Sequence, residues 1–415
     1  MKFFFPDSQD QIDPSFEFIT EERSIFRVRQ RDDRYAHEVL HNPPFDGLLV
    51  SKTVVDGLPG AAGKYSLAQR QRLYRTGVRD FFRLDEAPGP RLTTMGDCGA
   101  FSYVREDVPP YSPDEVIDFY TACGFDLGIS VDHVILGYDP AADTNPGHPH
   151  RRIWDQRQQL TLDLASQFLA RCRTGRVPFE PVGVAQGWSP ASYSHAVRDL
   201  QRIGYRRIAI GGMVPLKTHE ILACLDAIHD VRNDGIQLHL LGVTRCDNVD
   251  AFAHRGVTSF DSTSPFRQAF KDDRDNYYTL NGSYTAIRVP QVDGNPKLKA
   301  RIVAGQVSQR AAIDMEQGTM DALRRYENGD LSTIAVLSRI RAYEQLCVTR
   351  KDRTEEYRRI LEDRPWRHCP CGICEHAGIE VVLFRGAERN KRRGFHNLYV
   401  FNRRLQRELT EGTAA

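Results

Sequence analysis

Three cysteines crowd into six residues near the end of the chain, Cys369-Pro-Cys371-Gly-Ile-Cys374, and His396 follows 22 residues later in Gly394-Phe-His-Asn-Leu-Tyr. Thiolates and an imidazole are the soft and borderline donors that tetrahedral zinc takes, and three Cys plus one His fill all four positions. No position is left for water, so the expected Zn2+ is structural and pins a small subdomain. His368 and His376 are rival fourth ligands, but both lie too near the cysteines to wrap the intervening segment around a metal, which favours His396. The other six cysteines, Cys98, Cys123, Cys172, Cys224, Cys246 and Cys347, are dispersed and form no disulfide framework.

A second set of reactive side chains is spread along the chain: Asp97, Asp132, Gln186, the pair Gly211-Gly212, and Asp261. Each stands at or near the end of a short β-branched or apolar run. These runs, 45–55, 91–95, 127–134, 181–186, 207–214, 238–243 and 257–263, read as strands. Helical segments lie between them: Ser112-Pro-Asp-Glu is a capping signature, Leu160, Leu164 and Phe168 recur every four residues, and Ser189-Pro190 opens a segment that stops at Gly204. Seven or more strands alternating with helices predict an α/β fold, a (β/α)8 TIM-type barrel with a small C-terminal zinc-binding subdomain. No GxGxxG or GxxxxGK[ST] follows a strand, which argues against dinucleotide and P-loop sites. In such barrels the chemistry sits where strands end. A carboxylate or amide at four of these ends, with a glycine pair at a fifth, is more than helix capping explains.

The 56 basic and 55 acidic residues give a net charge of +1, so no global field draws nucleic acid. Locally, residues 385–407 hold eight Arg or Lys against Glu388 alone, which predicts a basic patch, with residues 389–393 exposed on the metal-pinned arm. Only nine of the basic residues are lysines, a bias that suits phosphate contacts and also follows from genome composition. No stretch approaches the roughly 18 apolar residues of a membrane span. Met-Lys-Phe-Phe-Phe-Pro runs straight into Asp7, Asp10 and Asp13, so a secretory segment is not expected and the protein is expected to be cytoplasmic.

The CxCxxC followed by His-Asn-Leu resembles the zinc signature of the tRNA-guanine transglycosylases, (β/α)8 barrels with an inserted zinc subdomain. Further motifs match in order. Gly96-Asp97-Cys-Gly-Ala-Phe101 resembles the family's Asp-Ser-Gly-Gly-Phe loop, Val131-Asp132 its recognition aspartate, Gly183-Val-Ala-Gln186-Gly its Gly-x-x-Gln-Gly, and Ile210-Gly-Gly212 its base-binding glycines. Leu241-Gly-Val-Thr and Gly256-Val-Thr-Ser-Phe260-Asp261-Ser-Thr-Ser-Pro265-Phe-Arg267 resemble its Met-Gly-Val-Gly segment and nucleophile loop. The resemblance spans about residues 45–405.

It implies exchange of a guanine base through two carboxylates, as in retaining glycosidases: Asp261 as the nucleophile on C1′ and Asp97 as the acid/base. It also implies a base site of Asp132, Gln186, Gly211, Gly212 and Met213, with Phe101 and Leu241 sandwiching the ring. Arg267, Lys271, Arg389, Lys391, Arg392 and Arg393 are the expected nucleic-acid contacts.

Three departures bear on the substrate. Phe270 and Lys271 stand where the tRNA enzymes carry a second Arg, Asp97-Cys98 replaces Asp-Ser, and no RNA-binding module is expected after residue 415. The opening Phe3-Phe-Phe-Pro-Asp-Ser-Gln-Asp-Gln-Ile-Asp-Pro-Ser-Phe and Ser130-Val-Asp-His133 resemble the DpdA branch, which puts 7-deazaguanines into DNA. Lys217 occupies the neighbourhood where queuine-type enzymes hold a Glu against a cationic substrate, which implies the neutral nitrile base preQ0. The expectation is a barrel over residues 1–365 and a zinc subdomain with a C-terminal basic helix closing the barrel over 366–415. DNA is the expected polymer, flipped at the target base, with accessory proteins of a DNA-modification pathway and no membrane. The alternatives are a tRNA-guanine transglycosylase and a non-catalytic partner subunit; retention of both Asp97 and Asp261 speaks against the latter.

Overall fold

The computed structural model describes residues 1–347 and 351–414. Eight parallel strands close into a barrel: β1 (Lys2–Pro6), β2 (Gly47–Ser51), β3 (Thr93–Asp97), β4 (Leu127–Ile129), β5 (Glu180–Ala185), β6 (Arg207–Ile210), β7 (Gln237–Leu240) and β8 (Val257–Asp261). The seven expected runs supply β2 to β8. The eighth strand is the chain's opening, Lys-Phe-Phe-Phe-Pro, which pairs with β2 on one side and β8 on the other and so removes both sheet edges. Its three phenylalanines are continuous rather than alternating, as in a strand buried on both faces.

Several strands are shorter than their apolar runs suggest. β4 stops at Ile129 and β6 at Ile210. Residues 130–135 and 211–214 leave the ladder as they enter the barrel mouth, which is how they come to carry site groups. Inside the barrel, Phe4, Leu49, Met95, Leu127, Ile129, Val182, Val184 and Ala209 form one apolar cluster. The intervening helices begin and end where local chemistry dictates. Ser112 Oγ accepts from Glu115 N–H ahead of Pro113–Cys123, Ser189 Oγ accepts from Ser192 N–H ahead of Pro190–Ile203, and Gly124 and Gly204 take left-handed backbone at the exits.

The chain divides into two compact units, one of residues 1–9, 45–263 and 404–415, the other of residues 10–44 and 264–403. The first is the barrel. The second contains the helices Gln309–Asn328, Thr333–Leu346 and Thr354–Asp363 and the CxCxxC segment. This division differs from the expected boundary at 365/366. Residues 10–44 and 264–365 share their unit with the metal-ligand segment, because ion pairs and packing join segments far apart in sequence.

In that second unit the expected basic arm is corrected. Arg389, Arg392 and Arg393 are 1%, 2% and 0% exposed. Arg389 pairs with Glu380 and Glu21, each at 2.6 Å; Arg392 pairs with Glu388 at 2.7 Å and donates to Asp13 O. Among the described residues Arg393 has only carbonyl and amide acceptors, on Ala269, Val381, Leu383 and Asn390. Lys391 Nζ donates to Gln11 O at 2.8 Å. The reason is helical periodicity: positions 389, 392, 393 and 396 fall on one face of the final helix, so the arginines share the inward stripe of His396. Of the expected phosphate contacts, Arg267 and Lys391 remain partly exposed and Lys271 exposed, Arg267 and Lys271 lying on the helix Ser264–Lys271.

Candidate active site

The barrel mouth holds a cradle built from groups that lock one another. Asp132, three residues beyond β4 and 2% exposed, accepts from Cys98 Sγ at Oδ1 (3.2 Å) and from Gln186 Nε2 at Oδ2 (2.6 Å). Ile135 N–H donates to Gln186 Oε1 at 3.1 Å, which fixes which way the amide faces. Tyr103 Oη lies 3.0 Å from both Cys98 Sγ and Asp132 O, and its one proton is shared between these two acceptors. Burial pushes the Asp132 carboxyl up to about 7, with the nearby Asp97 charge acting the same way and the Cys98 and Gln186 hydrogen bonds opposing.

Two glycines let the main chain enter this cradle. A Cβ on Gly211 would lie 2.2 Å from Gln186 Nε2; Gly212 has φ +76° and a Cβ there would lie 2.3 Å from Ile135 O. Met213, beside them, is wholly buried. Phe101, by contrast, is 51% exposed on the short turn after Gly99, too open for a core residue, and Leu241 is partly exposed over the apolar cluster.

The acid pair flanks the cradle. Asp97 is the last residue of β3 and Asp261 the last of β8. Ser51, at the end of β2 and in register with Asp97, donates its hydroxyl to Asp97 Oδ2 at 2.8 Å. Burial pushes Asp97 up to about 6; the Ser51 hydrogen bond opposes this and the charge of Asp261 adds to it. Asp97 is therefore a carboxyl poised to hold or release a proton near neutrality.

Asp261 is 6% exposed, and its Oδ1 lies 3.2 Å from His239 Nε2 and accepts from Gly242 N–H at 3.0 Å. His239 Nδ1 in turn lies 2.9 Å from Ser259 Oγ. Sequence reasoning missed His239, Ser51, Ser259 and Tyr103. The signal for His239 was an ionisable ring inside the otherwise apolar run Leu238-His-Leu-Leu; the serines and the tyrosine carry none.

In the second unit, Cys369, Cys371, Cys374 and His396 bring one ligand atom each to within 4.8 Å of one another and form a group that can hold a metal ion. His396 Nδ1 is 3.5, 3.5 and 3.3 Å from the three sulfurs. With Zn–S near 2.3 Å and Zn–N near 2.05 Å, a tetrahedron has S···N edges of about 3.6 Å, so the donors fit. His396 Nε2 faces Tyr278 O at 2.8 Å, which places the proton there and leaves Nδ1 bare for a metal. Tyr277 lies flat on the imidazole, centroids 4.0 Å apart, and Asn397 ties the same helix to Tyr278 N and Asn276 O.

Among the described residues no helix is long and apolar enough to cross a membrane. The chain matches no protein-family model. It is 49% identical over 414 residues, 99% of this chain and 98% of the other, to a protein of Salmonella montevideo named DNA-guanine transglycosylase. Over 112 residues, 26% of this chain and 29% of the other, it is 32% identical to a queuine tRNA-ribosyltransferase of Gluconacetobacter diazotrophicus.

Proposed function

Because this chain belongs to the tRNA-guanine transglycosylase superfamily, we propose that it is a DNA-guanine transglycosylase, a glycosyltransferase that exchanges guanine in DNA for the 7-deazaguanine base preQ0. The observation that carries the reading is the convergence, at the C-terminal ends of the barrel strands, of the acid pair Asp97 and Asp261 with the cradle of Asp132, Gln186 and Gly211-Gly212.

In this reading Asp261 attacks C1′ and Asp97 gives its proton to the departing guanine. The incoming base then returns a proton to Asp97 and displaces Asp261, and two inversions restore the β-configuration. Asp132 accepts from N1–H and the exocyclic amine, the second N–H of Gln186 and the Gly212 main chain serve O6, and Phe101 and Leu241 bracket the ring. Lys217 is exposed ahead of the helix Thr218–His229; it would repel an aminomethyl cation and tolerates a neutral nitrile, which is why preQ0 is the base.

Cys369, Cys371, Cys374 and His396 hold zinc. With four protein donors it offers no reactive position and its contribution is to folding. Arg267 and Lys271 contact phosphates, and the target base is flipped from the stack at a cost of a few kcal/mol. Accessory proteins of a DNA-modification pathway are its expected partners.

Incubating the protein with labelled guanine and either plasmid DNA or bulk tRNA tests the reading: label is expected in DNA. Incorporation into tRNA alone would replace it with the tRNA reading, which the match to a tRNA-ribosyltransferase favours. Nucleoside mass spectrometry of genomic DNA from cells that also carry the pathway neighbours tests the identity of the base.

A further inference from the structure

The two oxygens of Asp261 are not equivalent. Oδ1 accepts from Gly242 N–H at 3.0 Å and faces His239 Nε2 at 3.2 Å, whereas Oδ2 has no hydrogen bond among the described residues. His239 is 0% exposed, sits on β7 beside β8, and has Phe4 edge-on at 5.6 Å. Facing a carboxylate, Nε2 carries the hydrogen; Nδ1 is then bare and accepts from Ser259 Oγ at 2.9 Å. In that tautomer one direction of donation runs from Ser259 to His239 to Asp261 along a buried wall of the barrel.

We propose that His239 is a positioning residue that fixes Oδ2 of Asp261 as the attacking oxygen and, with Gly242 N–H, stabilises Asp261 as a leaving group. The inference rests on the transglycosylase reading above. In the first half-reaction the Oδ2–C1′ bond forms as C1′–N9 breaks, the electron pair leaving with guanine, which takes a proton from Asp97. Oδ1 becomes the carbonyl oxygen of the ester. In the second half-reaction the incoming base loses its N9 proton to Asp97, its nitrogen pair forms the new bond to C1′, and the Oδ2–C1′ pair returns to Asp261. Negative charge reappears on the carboxylate at that moment, and two donors already aimed at Oδ1 receive it without reorganisation, as in an oxyanion hole. A carboxylate free to rotate would offer either oxygen and would need its donors assembled anew.

The test compares His239→Phe, His239→Gln and Ser259→Ala with the wild-type full-length chain in the labelled-guanine exchange on DNA. His239→Phe keeps the ring volume and removes the donor; His239→Gln restores an N–H toward Asp261. Loss of a hydrogen bond to a charged group is worth about 10- to 100-fold. That loss is expected in kcat for His239→Phe, with KM for the base within about twofold and covalent adduct persisting longer on denaturing gels. His239→Gln is expected to recover most of the rate. Ser259→Ala, which leaves Asp261 and its donor in place, is expected to cost less than His239→Phe and to keep KM; it serves as the test if His239→Phe does not fold. Wild-type exchange with an unimpaired His239→Phe, a His239→Gln as impaired as His239→Phe, or a Ser259→Ala that raises KM and leaves kcat unchanged would overturn the inference and spare the reading. A wild-type protein that exchanges no base in any nucleic acid would overturn both.

Discussion

Gln186 donates to Asp132 at 2.6 Å across the barrel mouth, from the end of β5 to the segment after β4, and both side chains are buried to within 2%. A carboxylate held so deeply is protonated more readily in the folded chain than in the unfolded one. The proton then contributes stability that grows as pH falls from about 7 toward the unfolded value near 4 and is lost as pH rises through 7. Asp132→Asn removes the buried charge and is expected to raise thermal stability at pH 8, on the order of 1–3 kcal/mol, with the gain shrinking at pH 5. Unfolding scans at the two pH values measure it; an equal or lower melting temperature at pH 8 would count against the buried-charge account.

The same proton competes with the ligand. In the proposed reading ionised Asp132 accepts from N1–H and the exocyclic amine, so affinity for guanine is expected to weaken as pH is lowered through about 7. Calorimetric titration with guanine between pH 5.5 and 8.5 reads this directly, and a flat profile would remove Asp132 from base recognition.

Asp261→Asn is expected to abolish any covalent protein–nucleic acid adduct on denaturing gels, since the amide is a poor nucleophile. Asp97→Asn is expected to block turnover. An undiminished adduct with Asp261→Asn would refute the nucleophile assignment.

Gly211→Ala places a methyl where the Gln186 amide sits, 2.2 Å from Nε2. Overpacking of this kind costs about 1–3 kcal/mol, and here it displaces the group that orients Asp132. A rise of about tenfold or more in KM for the base is expected, with circular dichroism unchanged. Wild-type KM would show that the amide does not need its observed place.

About one zinc per chain is expected by metal analysis, and Cys371→Ala is expected to be insoluble or protease-sensitive, because structural zinc contributes folding free energy outright. Active, folded protein free of zinc would exclude this role. Arg393→Ala is expected to destabilise the chain, whereas Arg267→Ala is expected to weaken DNA binding and lower its salt dependence by about one counterion.

Read from the sequence alone, the reactive groups and their framework were largely legible, because each rests on short-range chemistry. Alternating strand and helix runs give the barrel, CxCxxC with a distant His-Asn-Leu gives a group that can hold a metal ion, and Asp97 and Asp261 close their strands. The partners of those groups were not legible, because they are set by which distant segments meet. Phe-Phe-Phe at the start becomes the closing strand only when β8, more than 250 residues later, lies beside it. The run of Arg389, Arg392 and Arg393 looks like a surface charge patch until Glu21, 368 residues from Arg389, arrives to pair with it and the helix turns that face inward. His239 reads as one more residue of an apolar strand until β7 is laid against β8 and the ring falls between Ser259 and Asp261. Residue type and spacing determine what a side chain is able to do; burial and the groups brought within 3 Å of it decide whether it is free to do it.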